Sequence, residues 1–137
     1  MSSASETAVR QAADQFYSAL NTMFNGELAP MKAIWSHADD VTFMGPGGGV
    51  QVGWDKVLKT LEGHAAMRLG GKVMPKDVRL TVGDGIAVMH NLELGENTNA
   101  AGKPHKVAIR ATSLFRKEGG AWKMIAHHTD KLPYIKD

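Results

Sequence analysis

The chain has 137 residues, of which 43% are hydrophobic and 22% are charged, and its 16 basic and 14 acidic side chains leave a net charge of +2. This composition is typical of one globular domain, long enough to bury a core. The small positive excess contains no run of Lys or Arg, which argues against a nucleic-acid partner. The sequence has no Cys, which excludes disulfides, thiolate metal sites and a Cys nucleophile.

The N-terminal residues predict no targeting segment. Residues 1–10 (MSSASETAVR) contain no apolar run of the kind found in a secretory signal. No stretch of about 18 apolar residues is present, so we predict no membrane span and no membrane partner. The expected location is therefore the cytoplasm. Residues 1–6 are predicted to form a flexible tail and residues 7–133 a single domain.

Three segments show helical patterns. Residues 7–24 place apolar side chains at helical spacing, and Asn25-Gly26 ends that pattern. Residues 27–34 predict a short helix with Pro30 in its first turn. Residues 54–67 return to helical spacing before Gly70-Gly71. The apolar face of the first helix consists of Val9, Ala12, Ala13, Phe16, Leu20, Met23 and Phe24.

The remaining segments have the character of strands. Residues 41–44 and 50–53 flank a glycine-rich stretch, Gly45-Pro46-Gly47-Gly48-Gly49, which predicts a flexible loop or an irregular hairpin. A phosphate-binding loop would need a helix directly after the glycines and a Lys-Ser/Thr pair, and the sequence has neither. Four antiparallel strands are then predicted, with turns at 83–85, 95–103 and 116–121. The predicted strands are 78–82, 86–94, 106–115 and 122–129. Helices grouped before such a meander favour an α+β fold with the helices on one face of the sheet.

Several stretches resemble the NTF2-like superfamily. They are FYSALNTMFNGEL (16–28) with residues 34–58, VRLTVGDGIAVMH (78–90), and AIRATSLFRKEGGAWKMIAHH (108–128). The superfamily includes SnoaL-like polyketide cyclases, ketosteroid isomerases and the association domain of calcium/calmodulin-dependent kinase II, and small stand-alone proteins close to that association domain are the most similar. The resemblance implies a cystatin-like cone, in which a curved, mostly antiparallel sheet carries three helices on its concave side. It also implies a pocket in the cone and a homodimer formed through the outer face of the sheet.

The resemblance bears on catalysis residue by residue. Ketosteroid isomerases use a Tyr on the first helix and an Asp base after the first strand, and the matching positions here are Phe16 and Gly45. Tyr17 lies next to the first of these but is turned by about 100° around the helix. SnoaL-type cyclases use an Asp and a His in the pocket, for which the candidates here are His128 or His90 with Asp130. On a strand, His128 and Asp130 share one face, while His127 faces the other way.

Ligand-binding candidates include one charge in the middle of a predicted strand. Arg110 requires a partner or a water-filled cavity. An ion pair or dimer contact would satisfy it, and so would a ligand carboxylate held by its two-pronged guanidinium. The kinase association domain has Arg-lined pockets, although the family's Arg near the end of the last strand is matched here by Thr129. The other candidates, some of which also suit a core, are Thr112, His127, Trp35, Tyr17, Phe43 and Trp54.

No metal or other cofactor is predicted, because the six His residues are scattered and the neighbours His127 and His128 point to opposite faces of their strand. Three functions remain. The favoured one is a homodimeric protein whose pocket binds an apolar or weakly acidic small molecule. The second is an isomerase, cyclase or dehydratase with a His acid/base and no metal. The third is an oligomerisation module like the kinase association domain. The sequence leaves open which face of the strands 106–115 and 122–129 lines the pocket.

Overall fold

The computed structural model of the chain describes residues 3–98 and 101–131. Residues 1–2 of the predicted tail and the predicted end of the domain at Pro133 lie outside this part. The three helices are α1 (Ser3–Met23), α2 (Ala29–Ile34) and α3 (Trp54–Met67). The strands are β1 (Thr42–Met44), β2 (Gln51–Val52), β3 (Lys72–Val82), β4 (Ile86–Thr98), β5 (Pro104–Glu118) and β6 (Ala121–Lys131).

The six strands form one sheet in the order β2-β1-β6-β5-β4-β3. Strand β1 runs parallel to β6, and every other pair is antiparallel. The β5–β6 hairpin turns at Gly119-Gly120, where both residues have positive φ, as a two-residue hairpin turn requires. The predicted α+β class with a mostly antiparallel sheet is confirmed.

Two irregularities bend the long strands. The β3–β4 register shifts between Lys76 and Arg79, next to Asp77 with φ 56°. In β6, Ile125 is an extra residue, because Leu114 pairs with Ala126 whereas Phe115 pairs with Met124. Such bulges increase local bending and twist, and they curve this sheet. The second bulge also reverses which β6 side chains point inward.

All three helices pack on one face of the sheet. The main core joins Phe16 of α1, Met31 of α2 and Leu61 of α3 to inward side chains of the strands, such as Met89 and Phe115. A second, smaller cluster lies further along the sheet, where Val73, Val107 and Ile109 pack beside Leu20 and Phe24. Within the described residues, no helix is long and apolar enough to cross a membrane.

Several boundaries differ from the predictions. Helix α1 begins at Ser3, so residues 3–6 of the predicted tail are helical. Strand β3 begins at Lys72 rather than at residue 78, because Pro75 and the bulge interrupt its alternating pattern. Strand β4 continues to Thr98 through part of the predicted turn. The Gly and Asn residues in this part of β4 have low strand propensity. They are nevertheless held in the strand because β4 pairs with β3 on one side and β5 on the other.

The β3 and β4 backbones approach each other closely at two glycines. A methyl group on Gly95 would overlap the carbonyl oxygen of Lys72. A methyl group on Gly71, which has φ 76°, would overlap the carbonyl oxygen of Glu96. Any larger residue would therefore force these two strands apart at the end where the sheet supports the smaller core cluster.

An ion-pair network ties the loop before β1 to the β5–β6 hairpin. Arg116 donates to Asp40 (Nη1–Oδ2, 2.7 Å) and to Glu118 (Nε–Oε2, 2.9 Å). The Oγ of Ser36 also donates to Glu118, at 2.8 Å. The hydrogen bonds from Arg116 lower the pKa of Asp40 below its ordinary value.

We expect Arg116→Gln to cause a small loss of thermal stability that depends on pH. Because the pKa of Asp40 is lowered in the fold, its contribution is present above the ordinary value of 3.8 and is lost as pH falls through the folded value. The melting temperatures of wild type and variant should therefore differ near neutral pH and converge in acid. A difference that stays constant down to strong acid would contradict this account.

Candidate functional site

A cavity of about 550 Å³ lies between the inward face of the sheet and the helices. Its closed end is lined by fully buried side chains, among them Phe16, Met31 and Trp35. The mouth of the cavity is formed by its exposed lining residues, which are Pro46, Gly47, Gly48, Met67 and Lys131. Most of the wall is apolar, which suits a small organic ligand.

Two ionisable side chains meet on the sheet side of this cavity. Glu93 of β4 and His127 of β6 both line it, although each is only 4% exposed. The Nε2 of His127 lies 3.2 Å from the Oε2 of Glu93. Burying a carboxylate is costly unless it is paired and hydrogen-bonded, so this carboxyl group depends on its neighbours.

Tyr17 of α1 supplies a second contact to the same carboxyl oxygen. Its hydroxyl donates to Glu93 Oε2 at 2.8 Å and accepts from Asn91 Nδ2 at 2.7 Å. Burial raises the pKa of Tyr17 well above its ordinary value, and the negative charge of Glu93 is the next largest cause of this rise. The phenol therefore stays protonated and acts as a fixed donor to Glu93.

The other ring nitrogen of His127 is also engaged. Ser113 Oγ of β5 lies 2.8 Å from Nδ1, and Ser113 is fully buried. When Glu93 is a carboxylate, His127 donates from Nε2 and, if neutral, accepts from Ser113 at Nδ1. The ring packs between Phe16 and Phe43, with centroid distances of 4.7 and 6.1 Å. Its orientation is thus set by two polar contacts and two aromatic neighbours.

A second histidine reaches the cavity from α3. His64 lines it and contacts Phe43, with ring centroids 5.8 Å apart. Burial lowers the pKa of His64 below its ordinary value, so the ring is neutral at neutral pH. On β6, Thr129 follows His127 on the same face and donates from Oγ1 to the carbonyl oxygen of Met44 at 3.3 Å.

Some predicted ligand-binding residues lie at this cavity, and others do not. His127, Trp35 and Phe43 line it. Tyr17 is buried behind it and acts through Glu93. Trp54 lies at the start of α3, where it is half-buried and stacks on His37 with ring centroids 4.2 Å apart.

The residues predicted to act as acid and base in the pocket lie on the opposite face of the sheet. His128 and Asp130 do contact each other, at 3.1 Å, but both side chains are about half exposed. His90, Thr112 and His128 form one row across β4, β5 and β6. Arg110, the predicted carboxylate anchor, is exposed in the adjacent row beside Asp130. Regular alternation from the buried Trp122 and Met124 would turn His128 inward, and the bulge at Ile125 reverses this.

The sequence interpretation missed Glu93, Asn91 and Ser113. Strand β4 did carry a signal, because Ala87, Met89, Asn91 and Glu93 alternate on one face and the first two belong to the core. A carboxylate that continues a buried stripe is unusual and marks a candidate site. The part of the chain that the structure describes contains no group of three or more His, Cys, Asp or Glu side chains able to hold a metal ion.

The fold matches many solved structures. A protein from Streptomyces avermitilis, described as a candidate dehydratase of the NTF2-like family, shares 21% identity, with 97% of this chain and 99% of that chain covered and a TM-score of 0.85. A candidate calcium/calmodulin-dependent protein kinase type II association domain from Thiobacillus denitrificans shares 24% identity (88% and 92% covered, TM-score 0.75). A candidate ketosteroid isomerase from Shewanella frigidimarina shares 20% identity (88% and 92% covered, TM-score 0.72). At these identities the likeness establishes the fold alone.

The comparison at the level of sequence is more specific. No curated protein matches the chain. The profile of the SnoaL-like domain matches residues 9–132, which cover most of α1, all of α2 and α3, and the whole sheet. The predicted resemblance to the NTF2-like superfamily is therefore confirmed, and the chain belongs to the SnoaL-like domain family.

Proposed function

We propose that this protein binds an apolar or weakly acidic small molecule in the cavity and transfers a proton to or from it through Glu93. The observation that supports this proposal is the buried Glu93–His127 pair in an otherwise mostly apolar cavity. This combines the favoured pocket-protein hypothesis with the acid/base hypothesis. The histidine in this proposal is His127 rather than the predicted His128 or His90, and its carboxylate partner is Glu93 rather than Asp130.

Energetics support a chemical role for this pair. A buried pair of ionisable side chains rarely stabilises a fold more than well-packed apolar residues of similar volume would, so its presence calls for another reason. Ionisable side chains brought together in a cleft are candidates for a functional site. Here the pair lies between the main core and the smaller cluster of Val73, Val107 and Ile109, where apolar side chains would have completed a continuous core.

The contacts assign different roles to the two members. Both ring nitrogens of His127 are engaged, by Glu93 and by Ser113. Glu93 lines the cavity, and its Oε2 is held by donors from Tyr17 and His127. We therefore assign Glu93 the proton-transfer step and His127 and Tyr17 the task of orienting it. A carboxylate base in a mostly apolar cavity suits isomerisation or dehydration next to a carbonyl group.

A generic substrate for proton abstraction tests the role of Glu93 as a base even though the natural substrate is not known. Nitrobenzisoxazole is small and apolar, and a base converts it to a coloured cyanonitrophenolate by removing the ring C–H proton as the N–O bond breaks. We expect the wild-type protein to accelerate this reaction with saturation kinetics. Glu93→Gln should lower kcat/KM by about 100-fold or more, the usual contribution of a positioned general base.

Glu96→Gln is the matched control, since Glu96 lies on the same strand but is exposed. It should leave the rate unchanged. Thermal melts would establish that Glu93→Gln is folded, because Gln keeps the size of Glu and can still accept from Tyr17. Equal rates for the folded Glu93→Gln variant and the wild type would exclude Glu93 as the base.

We further propose that the protein is a homodimer formed through the outer face of the sheet. Four aliphatic side chains on that face, Val88, Leu92, Leu94 and Leu114, are half-buried and belong to neither core cluster. Arg110 and Asp130 lie in the same row as Leu92, and a twofold arrangement could pair these opposite charges across the interface. The outer face thus offers aliphatic side chains interspersed with charged ones.

Light scattering after gel filtration should give twice the chain mass of 14.8 kDa. Leu94→Lys should yield a monomer, whereas Val50→Lys, which changes an exposed residue before β2, should remain a dimer. A monomeric wild type would refute the dimer. A larger oligomer would favour the third hypothesis, an assembly module.

A further inference from the structure

The cavity has a polarity gradient along β6. His127, Thr129 and Lys131 alternate on the inward face, and all three line the cavity. The first two are buried, whereas Lys131 is exposed at the mouth. The cationic end of this row therefore faces the entrance, while its inner end contacts Glu93.

Lys131 is the one permanently cationic side chain among the described residues that line the cavity. It is paired in register with Ile109, an apolar residue of β5. It forms no ion pair with another described residue, so its charge is available to a molecule that enters. Glu93 is the only carboxylate among the same lining residues.

His64 adds a second potential cation from the opposite wall, on α3. The titratable side chains that line the cavity are His64, Glu93, His127 and Lys131. An anion bound near His64 would favour its protonated form, opposing the effect of burial. The cavity thus carries one fixed charge at its mouth and, on α3, one histidine whose charge a ligand can induce.

The spacing on β6 sets the length of a matching ligand. His127 and Lys131 are four positions apart, which corresponds to about 13 Å between Cα atoms at the usual rise of a strand. Apolar side chains such as Phe24, Met67 and Leu69 line the same cavity. A ligand that contacts both ends must therefore have an apolar body between its reacting atoms and its charged group.

We infer that the ligand is an amphiphilic anion, whose apolar body lies against Glu93 and His127 and whose carboxylate or similar group lies at the mouth beside Lys131. This inference rests on the proposed function, since it names the ligand class of the same cavity. It also moves the anionic anchor from Arg110, which the sequence predicted, to a residue on the other face of the sheet.

Two fluorescent dyes that differ by one charged group test this inference. Anilinonaphthalene sulfonate is an amphiphilic anion, and N-phenylnaphthylamine is its neutral counterpart. Both become fluorescent in apolar sites. We expect the wild type to bind the sulfonate more tightly than the neutral dye. Lys131→Gln should lower the affinity for the sulfonate roughly three- to fivefold and leave the affinity for the neutral dye unchanged. Lys76→Gln removes the same charge from an exposed site on β3 and should change neither affinity.

A third variant examines the histidine. The preference for the sulfonate should increase as pH falls, because protonated His64 attracts the anion, and His64→Gln should reduce this increase. Equal binding of both dyes by the wild type would refute the anionic ligand but not the apolar binding cavity. The same would follow if Lys131→Gln and Lys76→Gln lowered the affinity for the sulfonate equally. If neither dye binds, the apolar cavity itself is refuted, and this inference with it.

Discussion

His127→Leu is expected to lower the free energy of unfolding by about 3–5 kcal/mol, which is the usual cost of leaving a buried charge without its partner. Leucine has a similar volume, so little of this loss would come from a cavity. Glu93 would keep its hydrogen bond from Tyr17 but lose the contact from Nε2, and Ser113 would lose its contact with Nδ1. Urea unfolding followed by circular dichroism measures the effect.

His128→Leu is the matched control, because it removes the same ring from the neighbouring residue on the exposed face. It should change stability by no more than about 0.5 kcal/mol. A double variant, Glu93→Leu with His127→Leu, should recover much of the loss by replacing both polar groups with apolar ones. Similar stabilities for His127→Leu and His128→Leu would mean that Glu93 does not rely on this histidine.

Gly95→Ala is expected to destabilise the protein by roughly 3 kcal/mol, the upper part of the range for overpacking. The added methyl group would overlap the carbonyl oxygen of Lys72, and the backbones of β3 and β4 would have to move apart to relieve this overlap. Strand β4 cannot shift freely, since Gly95 is also paired with Val107 of β5. Chemical denaturation would give the magnitude.

Gly63→Ala provides the contrast. Gly63 is a solvent-exposed residue in the middle of α3, and a methyl group there would meet no atom of a neighbouring element within 4 Å. Alanine should stabilise that helix by about 0.5–1 kcal/mol. Opposite signs for the two substitutions are expected. If Gly95→Ala is also neutral or stabilising, the close approach of β3 and β4 is not a constraint.

The sequence predicted the architecture because its strongest signals are local. The apolar spacing of residues 7–24 requires no knowledge of distant contacts, and neither does the Gly119-Gly120 turn between two strand-like runs. The resemblance to a known superfamily then supplied the arrangement of these elements. Boundaries were missed where a low-propensity residue such as Gly95 is held in a strand by its neighbours.

The site was harder to predict because it depends on register. A single extra residue, Ile125, decides whether His127 or His128 faces the cavity, and nothing in the sequence marks it as a bulge. The partner of His127 was missed for a related reason, since Glu93 and His127 lie on strands separated by β5. The alternation of Met89 and Asn91 with Glu93 was a usable signal, which a search for buried carboxylates would have found.

The buried polar network also has a consequence for the folding rate. The Tyr17–Glu93 hydrogen bond joins residues 76 positions apart, and the Ser36–Glu118 bond spans 82 positions. The parallel pairing of β1 with β6 likewise joins distant segments. Domains dominated by such long-range contacts pay the entropy of closing large loops before they gain the contacts, and they fold in milliseconds to seconds rather than microseconds. Until β4, β5 and β6 have all paired, Glu93 is without its histidine, so the Glu93–His127 contact forms only once this part of the sheet is complete.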